Sequence, residues 1–219
     1  MNRWWLGLLI VCTVIAKPAA QSSTSVDWAA AEAETLRHFQ ALVRMDTSDP
    51  PGGEKPAADY VKDVLEREGI PVEVLAQEAH RPNIVARLRG SGRKRPLLIM
   101  GHTDVVNTDP KKWTHPAFSA DRDSGYIYGR GTVDDKDNLT AALMVMLLLK
   151  RNNVPLDRDV IFLAEAGEEG ATRIGIEYMI NQHYPAIDAE YCYAEGGGVT
   201  RERGSVRYAS VQTVEKIPN

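Results

Sequence analysis

Apolar residues recur at helical spacing between Asp27 and Met45, at Ala30, Ala33, Leu36, Phe39, Leu42 and Val43, so this segment predicts an amphipathic helix. The turn-rich stretch Asp46-Thr-Ser-Asp-Pro-Pro-Gly-Gly53 ends it. A second helix is predicted from Glu54 to Glu68, stopped by Gly69 in the position that favours a left-handed residue after a helix end. Short strands are predicted at Val72–Ala76 and Asn83–Leu88. The run Pro96-Leu-Leu-Ile-Met-Gly-His-Thr-Asp-Val-Val106 opens with unbroken apolar residues, the pattern of a strand covered on both faces. Helix and strand then alternate, with helices from about Asn138 to Arg151 and near Ile174–Asn181, and strands at Val160–Ala164 and Glu190–Ala194. That rhythm predicts an α/β fold with a mixed, largely parallel sheet flanked by helices. In such sheets ligands gather beyond the carboxyl ends of the strands.

Four predicted strand ends carry groups able to bind a metal. In Gly101-His-Thr-Asp104, extended chain puts His102 and Asp104 on one face, where the carboxylate can orient the imidazole. In Tyr128-Gly-Arg-Gly-Thr-Val-Asp-Asp-Lys-Asp137, acids collect before an apolar helix. Asp135 and Asp137 read there as N-caps, while Asp134, further back, has two oxygens with which to bridge a pair of cations. The run Ile161-Phe-Leu-Ala-Glu-Ala-Gly-Glu-Glu-Gly170 sets Glu168 beside Glu169, an arrangement that costs stability unless a cation is near. The last, Tyr193-Ala-Glu-Gly-Gly-Gly198, offers Glu195. Singly, each is explained by a cap, a turn or a His–Asp hydrogen bond. Together they make an N/O donor set suited to zinc, manganese or cobalt. A water on such a cation has its pKa lowered towards ~7, and one Glu of the pair can hold the metal while its neighbour takes the water's proton.

Composition narrows the partners. The chain has 219 residues, 43% hydrophobic and 26% charged, as in ordinary globular proteins, and a net charge of -4 without a long basic run argues against a nucleic-acid surface. Met1-Asn-Arg, an apolar run from Trp4 to Ala16, and Lys17-Pro-Ala-Ala-Gln21 follow the pattern of an export signal, expected to be cut after Ala20. That run is shorter than the ~20 residues a membrane span needs, although an uncleaved anchor is the alternative. The expected organisation is a signal peptide at 1–20, a linker at 21–26, a body from 27 to 219, and a secreted or periplasmic destination. Removal of the signal leaves Cys192 as the sole cysteine, so no internal disulfide is expected.

The four motifs Gly101-His-Thr-Asp-Val-Val106, Gly129-Arg-Gly-Thr-Val-Asp-Asp-Lys136, Gly167-Glu-Glu-Gly170 and Ala194-Glu-Gly-Gly197 resemble, in order and spacing, those of the co-catalytic metal exopeptidases and amidohydrolases. That family includes glutamate carboxypeptidase, carboxypeptidase S, aminoacylase and succinyl-diaminopimelate desuccinylase. The resemblance implies two zinc ions, with cobalt or manganese as substitutes. His102 and Glu195 would be ligands of one ion and Glu169 of the other, with Asp134 bridging them through a residue followed by a cis peptide to Asp135. It also implies Asp104 as the partner orienting His102 and Glu168 as general base. The implied activity is hydrolysis of an amide bond in a small peptide or N-acyl amino acid. Neither nucleic acid nor, after signal removal, a membrane is an expected partner.

Family members are longer and carry a lid domain, often dimerising, and a late metal-binding His beyond the point that corresponds to Asn219. The sequence is therefore read as the N-terminal part of a zinc-peptidase catalytic domain with the lid absent. Its second metal would have only Asp134 and Glu169, since His38, His80, His115 and His183 are poorly placed to join them. Little turnover is expected from this chain alone. The alternative is a non-catalytic, metal-binding remnant.

Overall fold

The computed structural model describes residues 26–196 and 198–210, so the signal peptide at 1–20 and all of the linker but Val26 lie outside the described residues. In chain order the elements are α1 (Trp28–Val43), β1 (Ser48–Asp49), α2 (Lys55–Arg67), β2 (Val72–Leu75), β3 (Asn83–Leu88), β4 (Leu97–His102), β5 (Val105–Val106), β6 (Asp121–Asp123) and β7 (Tyr126–Tyr128). They continue with α3 (Lys136–Arg151), β8 (Val160–Glu165), α4 (Ile176–Ile187), β9 (Tyr191–Tyr193), β10 (Gly198–Glu202) and β11 (Ser205–Ser210).

Local chemistry sets the boundaries. Asp27 caps α1 by accepting from the Ala30 N–H at 3.0 Å, and Gly69, at φ +66°, follows the end of α2 as its sequence position predicts. The predicted helix near Ile174–Asn181 instead runs to Ile187. It is two pieces joined across His183 (φ -132°, ψ 23°), because Pro185 has no N–H to give and its ring crowds the preceding turn.

Five strands form the main sheet in the order β2-β3-β8-β4-β9. β3 runs antiparallel to β2 and β8, whereas β4 runs parallel to β8 and β9. The sheet is thus mixed, parallel only across the three strands that carry the site. All six residues of β8 are buried, as expected of a central strand covered on both faces. On one side Phe162, Ala164 and Ile99 pack against Leu42 of α1, Val61 and Leu65 of α2, and Leu139, Leu143 and Leu147 of α3. On the other, Ile161, Leu163 and Leu98 meet Met179 and Ile187 of α4. Truncating a side chain such as Phe162 to alanine costs ~3–5 kcal/mol in a core of this kind.

Register carries this packing to the site. His102 pairs with Glu165 at the carboxyl ends of β4 and β8, so the loops after the two strands leave side by side. The β6–β7 and β10–β11 hairpins, absent from the sequence reading, lie outside the main sheet. All three residues of the edge strand β9 are exposed.

Candidate metal centre

His102 stands at the last position of β4 and is 2% exposed. Thr103 locks the strand end, its N–H and its hydroxyl both donating to the Glu165 carbonyl at 2.8 Å. Gly101 is needed because a Cβ there would lie 2.8 Å from Asp135 Oδ2 and 2.9 Å from the Leu139 nitrogen. The first turn of α3 can therefore press onto β4.

That close approach changes the role read for Asp135. It occupies the N-cap position of α3, yet no side-chain cap bond forms. Its Oδ2 instead accepts from the His102 N–H at 3.0 Å and its Oδ1 from Asn138 Nδ2 at 2.6 Å. Asp137 is not the N-cap either, for it lies inside the first turn of α3, one residue beyond Lys136. Asp134 and Asp135 are joined by a cis peptide, as the resemblance implied.

The imidazole of His102 lies between carboxylates. Its Nδ1 is 3.0 Å from the Asp104 carbonyl and 3.4 Å from Asp104 Oδ1. The main-chain oxygen is thus the nearer partner, and the predicted orienting carboxylate comes second. The carbonyl only accepts, so it fixes hydrogen on Nδ1 and turns Nε2 to the site. Nε2 faces Asp134 Oδ1 at 3.0 Å, Glu195 Oε2 at 3.6 Å and Glu168 Oε2 at 3.9 Å. The Asp104 carboxylate has another task, accepting the N–H groups of Glu168 at 3.1 Å and Glu169 at 2.9 Å. It thereby fixes the turn that carries both.

Electrostatics show a shortage of positive charge. Burial alone pulls His102 down, but Asp104, Asp135 and Glu168 outweigh it and push it up to about 10. Burial, then Glu168, Asp135 and Asp134, push Glu195 up to about 7. Glu169 is raised by burial and by Asp134. Asp104 goes the other way: despite burial, His102 and the two amides hold it below the usual carboxylate range. The surrounding carboxylates thus favour the protonated imidazole when no metal is bound.

The donor set fits a metal ion. One donor atom from each of His102, Asp134 and Glu195 lies within 4.8 Å of the other two. A tetrahedral zinc site with bonds of ~2.1 Å separates its donors by roughly 3.4 Å, and the 3.0 and 3.6 Å distances from Nε2 bracket that value. Among the described residues, no third donor joins Asp134 and Glu169. His115 is engaged elsewhere, 3.1 Å from Asp121 Oδ2 and stacked on Tyr128.

Three groups here escaped the sequence reading. Glu165, 2% exposed at the end of β8, accepts from the Ile176 N–H at 2.8 Å; burial and then Asp104 and Glu168 push it up to about 7. An acid closing an otherwise apolar strand was the available signal. Lys136 is fully buried with its Nζ donating to the Met45 carbonyl at 2.7 Å, and burial brings it down to about 8. Arg81 pairs with Asp49 and Glu54, two members of a second buried acidic group completed by Asp104.

Comparison with known proteins finds similar sequences and a similar fold. Residues 98–211 match Peptidase family M20/M25/M40. The chain is 33% identical over 174 residues to the N-formyl-4-amino-5-aminomethyl-2-methylpyrimidine deformylase of Halalkalibacterium halodurans, covering 75% of this chain and 40% of that protein. It is 34% identical over 140 residues to a probable succinyl-diaminopimelate desuccinylase of Staphylococcus aureus, covering 63% of this chain and 34% of that one. In structure it is similar to an M20 family metallo-carboxypeptidase from Sulfolobus solfataricus, with a TM-score of 0.66 and 26% identity over 76% of this chain and 38% of the other. The chain thus spans well under half the length of these relatives.

Proposed function

The chain belongs to peptidase family M20/M25/M40, and on that premise we propose that it carries the metal-binding half of a hydrolase that cleaves an amide bond in small peptides or N-acyl amino acids. The observation that carries the reading is the meeting of His102, Asp134 and Glu195 within 4.8 Å, with Glu168 Oε2 3.9 Å from the imidazole Nε2. His102, Asp134 and Glu195 would hold one divalent cation, zinc by the preference of this N/O set, and Asp134 with Glu169 would contribute to a second. Such a cation supplies Lewis acidity, polarising the carbonyl and acidifying water.

The remaining work falls to the side chains. Glu168 reaches the centre from a turn whose amides are tied to Asp104, so its backbone is fixed with the carboxylate facing the centre, where it would take a proton from the attacking water and return it to the leaving nitrogen. Asp104 and its carbonyl keep the imidazole turned towards the cation. The leader-like segment at 1–20 supports an exported enzyme.

The test is to purify the chain, measure bound zinc, and assay release of amino acids from dipeptides and N-acyl amino acids. Glu168→Gln is expected to keep the zinc and to lower turnover by about 10²–10⁴-fold; unchanged turnover would remove Glu168 from the role. Because Asp134 and Glu169 have no third donor among the described residues, turnover by this chain alone is expected to be slow. Tight zinc binding with no turnover, even when the remaining length of a relative is supplied in trans, would favour a metal-binding protein without catalysis.

A further inference from the structure

Behind the metal centre lies a second cluster of acids with a different cation. Asp49, Glu54 and Asp104 each place a carboxylate oxygen within 4.8 Å of the others. Glu54 is 0% exposed, Asp104 0%, and the Asp49 side chain 7%. Three buried carboxylates at such distances repel or take up protons unless a positive charge lies among them.

Arg81 is that charge. Its residue is 3% exposed, and its Nε donates to both oxygens of Glu54, at 3.0 and 2.8 Å, while Nη2 donates to Glu54 and, at 2.7 Å, to Asp49 Oδ2. The chain is built around it. Gly52 sits at φ +79°, and a Cβ there would fall 2.3 Å from Arg81 Cζ, so only glycine lets the turn between the prolines and α2 close over the guanidinium.

Of the two acids bonded to Arg81, Asp49 reaches towards the functional turn, and Asp104 beside them touches it directly. A Cβ at Gly170 would meet Asp49 Oδ2 at 3.6 Å, so Asp49 packs against the residue directly after Glu168 and Glu169. Asp104 accepts the two amides of the turn itself. β1 carries Asp49 alongside β5, which follows Asp104 by one residue. Asp49, bonded to the guanidinium, and Asp104, bonded to the turn's amides, are thus brought together by a single sheet pair.

We propose that Arg81 is a positioning residue for the Glu168–Glu169 turn: by holding Asp49 and Glu54 in place beside Asp104, it presets the base and the second ligand before any metal arrives. Lysine does not replace it, because the fork bonds two carboxylates at once and an ammonium does not reproduce that geometry. The inference rests on the metal-centre reading above, and the two fail differently. An unaltered chain that binds no Zn²⁺ counts against the metal centre, whereas equal binding by the unaltered chain and the variants counts against Arg81 alone.

Two variants of the full chain test it, Arg81→Lys and the charge-neutral pair Arg81→Met with Glu54→Gln, together with hydrogen exchange and Zn²⁺ competition against a chromophoric chelator. In the unaltered metal-free chain the Glu168 and Glu169 amides should exchange as slowly as those of β8. In either variant with an unchanged far-ultraviolet spectrum, exchange at those two amides should quicken at least about tenfold, Zn²⁺ affinity should fall about 10–100-fold, and the visible spectrum of the Co²⁺ form should shift. Rapid exchange at these amides in the unaltered chain overturns the proposal. So does a folded variant with wild-type amide protection and affinity, and so does loss of folding in both variants, which would make Arg81 a residue of general stability.

Discussion

The two halves of the metal centre are held in opposite ways. His102, Asp104, Asp135 and Glu165 are all 2% exposed or less, and each is tied by hydrogen bonds to backbone at the β4–β8 strand ends, in the turn after β8 or at the start of α4. Asp134, Glu168 and Glu195, by contrast, expose 59%, 40% and 40% of their side chains, and what draws them together is the one imidazole. The packed half can be specified by folding alone. The open half gathers carboxylates whose mutual repulsion a cation would relieve, so binding free energy must order it. The scaffold presets one strong ligand and the base's backbone, and leaves the remaining donors to the ion.

That contrast is most readily broken at its hinge. His102→Ala should lower Zn²⁺ affinity more than the ~10–100-fold typical of losing a supporting residue, while Glu195→Gln, in the open half, should cost less. Competition titrations of both variants rank them. A larger loss from Glu195 would show that the open half dominates.

Next in size is Asp104→Asn. Each carboxylate oxygen accepts one of the Glu168 and Glu169 N–H groups, and in asparagine one of those oxygens becomes an NH₂, a donor facing a donor. The expected result is a stability loss on the order of 3 kcal/mol, as for a broken buried charge pair, and a drop of about 10–100-fold in Zn²⁺ affinity. Urea unfolding and the same titration read the two effects. A stable variant with wild-type affinity would mean that the turn holds itself.

The titrations of His102 and Glu195 sharpen the comparison further. With His102 pushed up to about 10, metal must displace its proton at any pH below that value, so Zn²⁺ affinity should rise about tenfold per pH unit from pH 7 upwards. Below about 7 Glu195 is protonated as well, and the slope should steepen towards two protons per ion. Calorimetry in buffers of different ionisation enthalpy counts those protons directly. A flat profile would show that the imidazole is already neutral in the metal-free protein.

Much of this arrangement could be read from the chain, and the exceptions have one physical origin. The unbroken apolar runs before His102 and Glu165 marked β4 and β8, and the acids near glycines after β9 and before α3 marked Glu195 and Asp134, which meet His102. Periodicity reports neighbours a few residues apart. The bond from Arg81 to Glu54 spans 27 positions, and nothing in His80-Arg-Pro82 distinguishes a buried guanidinium from a surface one. Asp135 failed as a cap for the same reason, since its true donor, the His102 amide, is 33 positions away. The small hairpins left a faint local signal, the positive-φ pairs Ser124-Gly125 and Arg203-Gly204 suited to tight two-residue turns, but their short polar strands showed no clear alternation.

The smallest effect is expected at Glu165, which lies in the packed half and does not face the ion. Burial first, then Asp104 and Glu168, push its carboxyl up to about 7, against an unfolded value near 4.5. Between those two values the folded state binds the proton more tightly, so this group's contribution to stability is full below about 4.5 and is lost as the pH rises through about 7. The slope it imposes is at most about 1.4 kcal/mol per pH unit. Glu165→Gln keeps an oxygen for the Ile176 N–H and removes the titration. The variant should therefore unfold at a higher urea concentration than the unaltered chain at pH 8, and the two should converge near pH 5. Saturating Zn²⁺ should leave that difference nearly unchanged, because the ion orders the open half and Glu165 belongs to the other. If instead Zn²⁺ abolished the difference, the two halves would be one electrostatic unit, and the division between a packed half and a gathered half would fail.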